Sequence, residues 1–270
     1  MAKQKKNSKD EKTTKKSSSK KTSNSKKETV DFDRKLMTIV ENGIEKHIPL
    51  NNKQIAELLY GRKLMIKAKN KKQKDLLKEI EKNQITFAVG PAGTGKSFIS
   101  VAKALELIAN PDNNYQKIYV ITPAVTSGEN LGFLKGDLDE KLYHYLFSTF
   151  YLMDKIVGKS NRKRLQELKI IDSLAFAFLR GINIDNSIVI VEETQNTTNE
   201  QMLNLLTRIG FNSKFIISGD IDQTDRKGSN GLEDALYRTK NIKEIGNVEF
   251  TKKDIVRNPL ISKILDNYEN

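Results

Sequence analysis

The 270-residue sequence predicts an α/β chain with a mostly parallel sheet covered by helices on both faces, on three observations. First, short β-branched runs at Ile85–Val89, Lys117–Thr122, Ser187–Val191 and Lys214–Gly219 alternate with longer amphipathic segments, the pattern of strands joined by crossover helices. Second, these runs are apolar at nearly every position rather than every other one, as strands buried on both faces must be. Third, Gly90-Pro91-Ala92-Gly93-Thr94-Gly95-Lys96-Ser97 joins the first run to a helix. It fits G-x-x-x-x-G-K-[ST], a turn whose backbone N–H groups wrap phosphate oxygens.

In chain order, residues 1–29 are Lys, Ser, Thr and Asn with almost nothing apolar. They cannot bury enough surface to offset ordering entropy and read as a disordered basic tail. Residues 30–68 turn apolar at Phe32, Leu36, Met37, Ile39, Val40 and Ile44, with a helix at Lys53–Tyr60 closed by Gly61; they read as a small accessory element. The core then spans 69–270. Asn70 opens an amphipathic helix with Leu76, Leu77 and Ile80 at helical spacing. The phosphate-loop strand follows, then a helix from Lys96 to about Ala109.

Pro123 ends the next strand, and Ala124–Gly136 forms a long polar loop, which in a compact domain points to function. A helix is expected over Asp137–Val157, with Leu146, Phe150 and Met153 in its apolar stripe. Gly158–Arg164 is a basic patch, Ile170–Ile171 a short strand and Ser173–Arg180 a short helix. Thr198-x-x-Gln201 is a capping box opening a helix that carries Met202 and Leu205 inward. Further helices are expected at Leu232–Arg238 and Asp254–Tyr268, and a last strand at Val248–Phe250.

Composition narrows the chemistry. With no cysteine there is no disulfide framework and no thiolate nucleophile. Two distant histidines, His47 and His144, do not suggest a histidine metal site. No apolar run approaches the roughly 20 residues of a membrane span, and the lysine-rich start lacks an apolar core, so a cytoplasmic protein with no membrane partner is expected. Of the net charge of +13, eleven lysines against Asp10, Glu11 and Glu28 place +8 in the first 28 residues. The tail reads equally as a basic partner-binding arm or a solubilising leader.

The strand ends supply the rest of a nucleotide-hydrolysing site. Lys96 is positioned for the β- and γ-phosphates and Ser97 for Mg²⁺. Glu192 is expected to hold Mg²⁺ through its water shell and Glu193 to polarise the attacking water, both at the end of Ser187–Val191. Ser218-Gly219-Asp220 with Gln223 ends another strand: Asp220 for second-sphere contacts and Gln223 for the γ-phosphate or water. Gln73, upstream of the loop, is a reader for the adenine edge. Arg257 is the first candidate for charge on the transferring phosphoryl group, and Arg208 the second, across a subunit boundary.

The loop, Pro123–Val125, Gly128–Asp137, Leu174–Gly181, Glu193–Thr198, Leu206–Gly210 and Ser218–Gln223 together resemble the PhoH-like proteins, over about Lys67 to Leu265. These are P-loop ATPases related to superfamily-one RNA helicase cores. The resemblance implies a RecA-like fold, ATP binding and hydrolysis with Mg²⁺, and a role with single-stranded RNA, as a homo-oligomer in which a ring is the expected form. Gln73 matches the family's adenine-side glutamine, and Arg257 lies in its Val-Arg-x-Pro-Leu segment. The chain departs from the family at Glu192, where aspartate is usual, at Thr122 and Ile182, where arginines are usual, and at Lys135, where proline is usual. Glu192 keeps a second reading open, a nucleotide-gated binding module with little turnover.

Overall fold

The computed structural model describes residues 27–41, 44–61, 64, 66–110, 112–123, 138–224 and 230–256. The basic tail to residue 26, the 124–137 loop and everything from Arg257 onward lie outside the described residues.

Six parallel strands form the main sheet: β4 (Ile85–Val89), β5 (Lys117–Thr122), β6 (Ile171–Ala175), β7 (Ser187–Val191), β8 (Lys214–Gly219) and β9 (Ile245–Glu249). Their spatial order is β6-β5-β7-β8-β4-β9, and every pairing is parallel. Successive side chains point to opposite faces, and both faces are covered. On one side Ala88, Ile188, Ile190 and Ile216 pack under α1 (Asn52–Tyr60), α2 (Lys71–Lys82), α3 (Lys96–Ala109), α4 (Leu138–Val157) and α5 (Lys159–Glu167). On the other, Phe87, Val89, Val189, Val191, Phe215 and Ile217 pack under α6 (Asn199–Leu206) and α7 (Gly231–Thr239). This double burial is why the runs read as continuously apolar. No helix among the described residues is long and apolar enough to cross a membrane.

Local signals explain most element boundaries. Asn70 caps α2 by accepting from Gln73 N, and Leu76 and Ile80 are buried. Thr198 and Gln201 close both bonds of the capping box at α6. Gly61 ends α1 at φ 89°. The N-terminal residues form an antiparallel sheet, β1 (Lys27–Asp31), β2 (Leu36–Glu41) and β3 (Ile44–Pro49). Val30, Phe32 and Met37 rest on the first core face, and Arg164 reaches across to Asp33 at 2.8 Å.

Four segments differ from expectation. Strand β1 takes in Lys27–Thr29, because these residues pair with β2 at Val40, Ile39 and Thr38. Ser173–Arg180 is not a helix. Ile171–Ala175 adds to the sheet edge beside β5, and only Phe176–Phe178 turns, as a 3-10 helix; a short apolar run of this length carries no periodicity that separates the two states. The basic patch at 159–167 is helical, with Arg162 buried against Asp154 and Phe150. Lys252–Asp254 forms a 3-10 turn, and Val256 then donates its N–H to Gly93 O at 3.0 Å, so the helix expected from Asp254 does not begin there.

Candidate active site

Three adjacent strands deliver the site to one edge of the sheet. β4 and β8 pair through Val89 and Gly219, and β8 and β7 through Ile217 and Val191. The residues that follow, Gly90, Asp220 and Glu192, therefore emerge side by side at the carboxyl ends, the usual ligand position in an open α/β sheet.

The loop from Gly90 to Ser97 is braced from within and from behind. Thr94 donates to Pro91 O at 3.0 Å. Gly95 sits at φ 87° and caps α3, and no side chain caps that helix, which leaves its first N–H groups open toward the cleft. A Cβ on Gly95 would stand 2.6 Å from Gln73 Nε2. Phe250 N donates to Val89 O at 2.7 Å, and Val256 N to Gly93 O. Lys96 is folded onto its own loop, donating to Gly90 O and, at 2.8 Å, to Pro91 O.

Gln73 is 3 % exposed, and its amide is engaged at both ends. Nε2 donates to Thr94 O at 2.8 Å, and Oε1 accepts from Lys69 N at 2.7 Å. It braces the loop from behind.

Opposite the loop, the Ser97 hydroxyl donates to Glu192 Oε2 at 2.6 Å. Glu192 Oε1 is buried and has no hydrogen-bond partner. Burial pushes its carboxyl above the ordinary range. The charge of Glu193 adds to the rise, while the Ser97 and Ser218 hydroxyls and Lys96 oppose it. An orphaned carboxylate oxygen beside a serine hydroxyl suits a hard cation that takes oxygen ligands.

Glu193 holds a left-handed backbone, φ 58° and ψ 36°, unusual for a residue that is not Gly, Asn or Asp. That bend turns its exposed side chain away from the strand direction, toward Gln195, whose Nε2 donates to Glu193 Oε2 at 2.7 Å. Gln195 Oε1 accepts from Asp220 N at 3.1 Å. One amide thus links the end of β7 to the end of β8. Asp220 Oδ1 accepts from Asp222 N at 3.3 Å, while Oδ2 is buried without a partner. Gln223 N donates to Asp220 O at 3.0 Å, and its exposed side chain lines the cleft mouth.

The cleft, about 640 Å³, brings together Ala92, Gly93, Gly95, Lys96, Ser97, Glu192, Glu193, Asp220 and Gln223. Arg257 lies outside the described residues; the position before it, Val256, is bonded to the loop. Arg208 is not in the cleft. Its guanidinium donates to Ile182 O, Asn204 O and Thr207 Oγ1, where residues leading into β7 and β8 bridge at Ile184 and Ile209, the opposite edge of the sheet.

Sequence reasoning missed two contributors. Gln195 stood within a recognised segment but was given no role, because its importance lies in joining two strand ends. The second is the α4 wall, Ser148, Tyr151, Leu152 and Lys155. The i, i+4 spacing of Tyr151 and Lys155, on the side away from buried Phe150 and Met153, was the available signal.

A family model described as "PhoH-like protein" matches residues 65–269. The PhoH-like protein of Bacillus subtilis (strain 168) is 37% identical over 231 residues, 85% of this chain and 71% of the relative. Protein PhoH of Escherichia coli (strain K12) is 39% identical over 207 residues, 75% of this chain and 58% of the relative. Among solved structures, the large terminase from a thermophilic bacteriophage, in complex with ADP, aligns with TM-score 0.44 and 10% identity, over 73% of this chain and 49% of that one.

Proposed function

The chain belongs to the PhoH-like family, and on that premise we propose that it hydrolyses ATP and couples the nucleotide cycle to single-stranded RNA. The observation that carries the hydrolase reading is the run of contacts from Ser97 to Glu192 and from Glu193 through Gln195 to Asp220. It joins the phosphate loop, the two acids and the third strand end in one cleft.

Each residue has a task. The loop N–H groups and the open first turn of α3 bind phosphate oxygens. Lys96 leaves the carbonyls of Gly90 and Pro91 for the β- and γ-phosphates. Ser97 and Glu192 would hold Mg²⁺, which when bound neutralises phosphate charge. Glu193 accepts a proton from the attacking water, and Gln195 orients that carboxylate. Asp220 and Gln223 sense the γ-phosphate end, and Arg257 balances charge that develops there.

RNA is the proposed partner on the family resemblance, and β5 ends at Thr122 beside the end of β7, on the cleft side of the sheet. One P-loop in the chain suggests work in copies, with Arg208 on the edge that would face a neighbour's cleft. Phosphate release measured with and without single-stranded RNA, against Lys96→Ala, tests the reading. Turnover no greater than that of the variant would sink the ATPase. Turnover indifferent to RNA, with no RNA binding, would remove the partner.

A further inference from the structure

The phosphate loop is held from behind by two stretches of chain that are far apart in sequence. From α2, Gln73 Nε2 donates to Thr94 O at 2.8 Å. From just beyond the turn at Lys252–Asp254, Val256 N donates to Gly93 O at 3.0 Å. Both braces take carbonyls, and they take consecutive ones. In a trans peptide the C=O and the N–H of one plane point to opposite sides. Fixing Gly93 O therefore fixes the Thr94 N–H, and fixing Thr94 O fixes the Gly95 N–H, each directed away from its brace. Gly93 and Gly95 line the cleft, and the backbone N–H groups of such a loop are its phosphate ligands.

The two braces are tied to each other by one side chain. Asn70 Oδ1 accepts from Gln73 N at 2.8 Å, the cap of α2. Asn70 Nδ2 donates to Asp254 O at 3.0 Å. Asp254 is itself fixed, because its Oδ2 accepts from Thr251 N at 2.9 Å and from Thr251 Oγ1 at 3.0 Å. The bonds close a circuit. It runs from Asn70 to Gln73, to Thr94, back one residue to Gly93, across to Val256, and along the chain to Asp254 and Asn70 again. The circuit has little slack: a Cβ on Gly95 would stand 2.6 Å from Gln73 Nε2 and 3.7 Å from Val256 Cγ2.

We infer that Asn70 is a positioning residue for phosphate capture, whose amide locks the two braces together and so aims the Thr94 and Gly95 N–H groups. This rests on the nucleotide-hydrolase reading above and deepens it. Neither half of the amide suffices. The cap alone seats α2 and Gln73 but leaves the turn at Asp254, and Val256 after it, without this tie to α2. Because the targets are peptide planes of the loop, the effect falls on the phosphates, whatever nucleoside carries them.

Asn70→Asp separates the two halves. Aspartate caps a helix as well as asparagine does but has no N–H to give Asp254 O. Asn70→Ser does the same with a shorter, uncharged cap. Calorimetric titration of the full chain with MgATP and with inorganic tripolyphosphate reads the result, beside denaturant unfolding. Both variants are expected to unfold close to the wild-type midpoint. Both should bind both ligands about three- to tenfold more weakly and by the same factor, the scale of one hydrogen bond. In turnover the defect should lie in KM, with kcat near wild type. Unaltered tripolyphosphate affinity overturns the inference: with ATP weakened it would place Asn70 at the nucleoside, and with a lowered midpoint it would leave Asn70 a helix cap and nothing more. A loss confined to Asn70→Asp also overturns it, since the added charge would then be the cause, as does a defect in kcat alone. If wild-type protein binds neither ligand, the hydrolase reading falls and this inference with it.

Discussion

Ser97 and Glu192 meet directly, hydroxyl to carboxylate, at 2.6 Å. The contact joins the end of β7 to the first turn of the helix that starts at Lys96. The other oxygen, Oε1, is left buried and unpartnered. Glu192→Gln keeps the size but removes the charge. Mg²⁺ affinity in the presence of nucleotide is expected to fall about 10–100-fold, read by titrating Mg²⁺ against phosphate release. Unchanged Mg²⁺ dependence would show that the cation is held elsewhere.

The raised Glu192 pKa gives this contact a pH signature. The folded protein holds the proton to higher pH than the unfolded chain does. Glu192 therefore favours folding while protonated and opposes it as pH rises from the ordinary carboxylate range through its raised value. Metal-free wild-type protein should lose stability across that window relative to Glu192→Gln, by denaturant midpoint. Magnesium binding runs the other way, because the cation needs the carboxylate: affinity should decline as pH falls through the same window.

Glu193, the proposed base, holds a strained backbone. Glu193→Gly removes the carboxylate and also the left-handed penalty, about 1–2 kcal/mol. Added glycine entropy cancels roughly 0.5–1 kcal/mol of that gain. Stability should stay within about 1 kcal/mol of wild type or rise, while turnover drops about 10²–10⁴-fold, the usual share of a general base. A markedly destabilised Glu193→Gly protein would show that the glutamate contacts outweigh the strain.

Gln195 ties Glu193 to the Asp220 backbone. Gln195→Ala is expected to lower kcat about tenfold or more with KM little changed, since the group acts on orientation. Gly219→Ala perturbs the same junction from below. Its Cβ would stand 2.6 Å from Leu232 Cδ2 and 2.9 Å from Gln195 Oε1, and overpacking of this kind costs about 1–3 kcal/mol. Parallel kinetic defects in the two variants would place them in one unit.

Away from the cleft, Arg162 is 2 % exposed and is held by Asp154, Gln166 and the Phe150 ring. Asp154→Ala leaves a buried cation short of its counter-charge and should cost about 3 kcal/mol. Adding Arg162→Met should recover most of the loss, because the apolar stem still fills the space. Denaturant unfolding of the two variants tests both statements.

Much of this was legible in one dimension. The apolar runs named the strands because both sheet faces are covered, and Asn70, Thr198 with Gln201, and Gly61 marked helix ends through local chemistry. That the loop, the paired acids and Asp220 follow strand ends was readable because each comes directly after a continuous apolar run. What escaped were relationships across the sheet. Ser173–Ala175 became a strand only because β5 offered a free edge, and Arg162 became a core residue because Asp154 waits eight residues earlier. Gln73 lies against Thr94 O, 21 residues away in sequence, and Gln195 bonds the backbone at the end of another strand.

The loop's rear support has a consequence for biosynthesis. Asn70, which begins α2, donates to Asp254 O across 184 residues of sequence, and Val256 and Phe250 brace the loop and the strand before it. The phosphate loop is translated early, but these braces come from the far side of the chain. A ribosome-bound chain would carry the whole motif long before it had a finished pocket. Such distant closure slows folding, and it ties nucleotide capture to the moment the segment around Val256 is released.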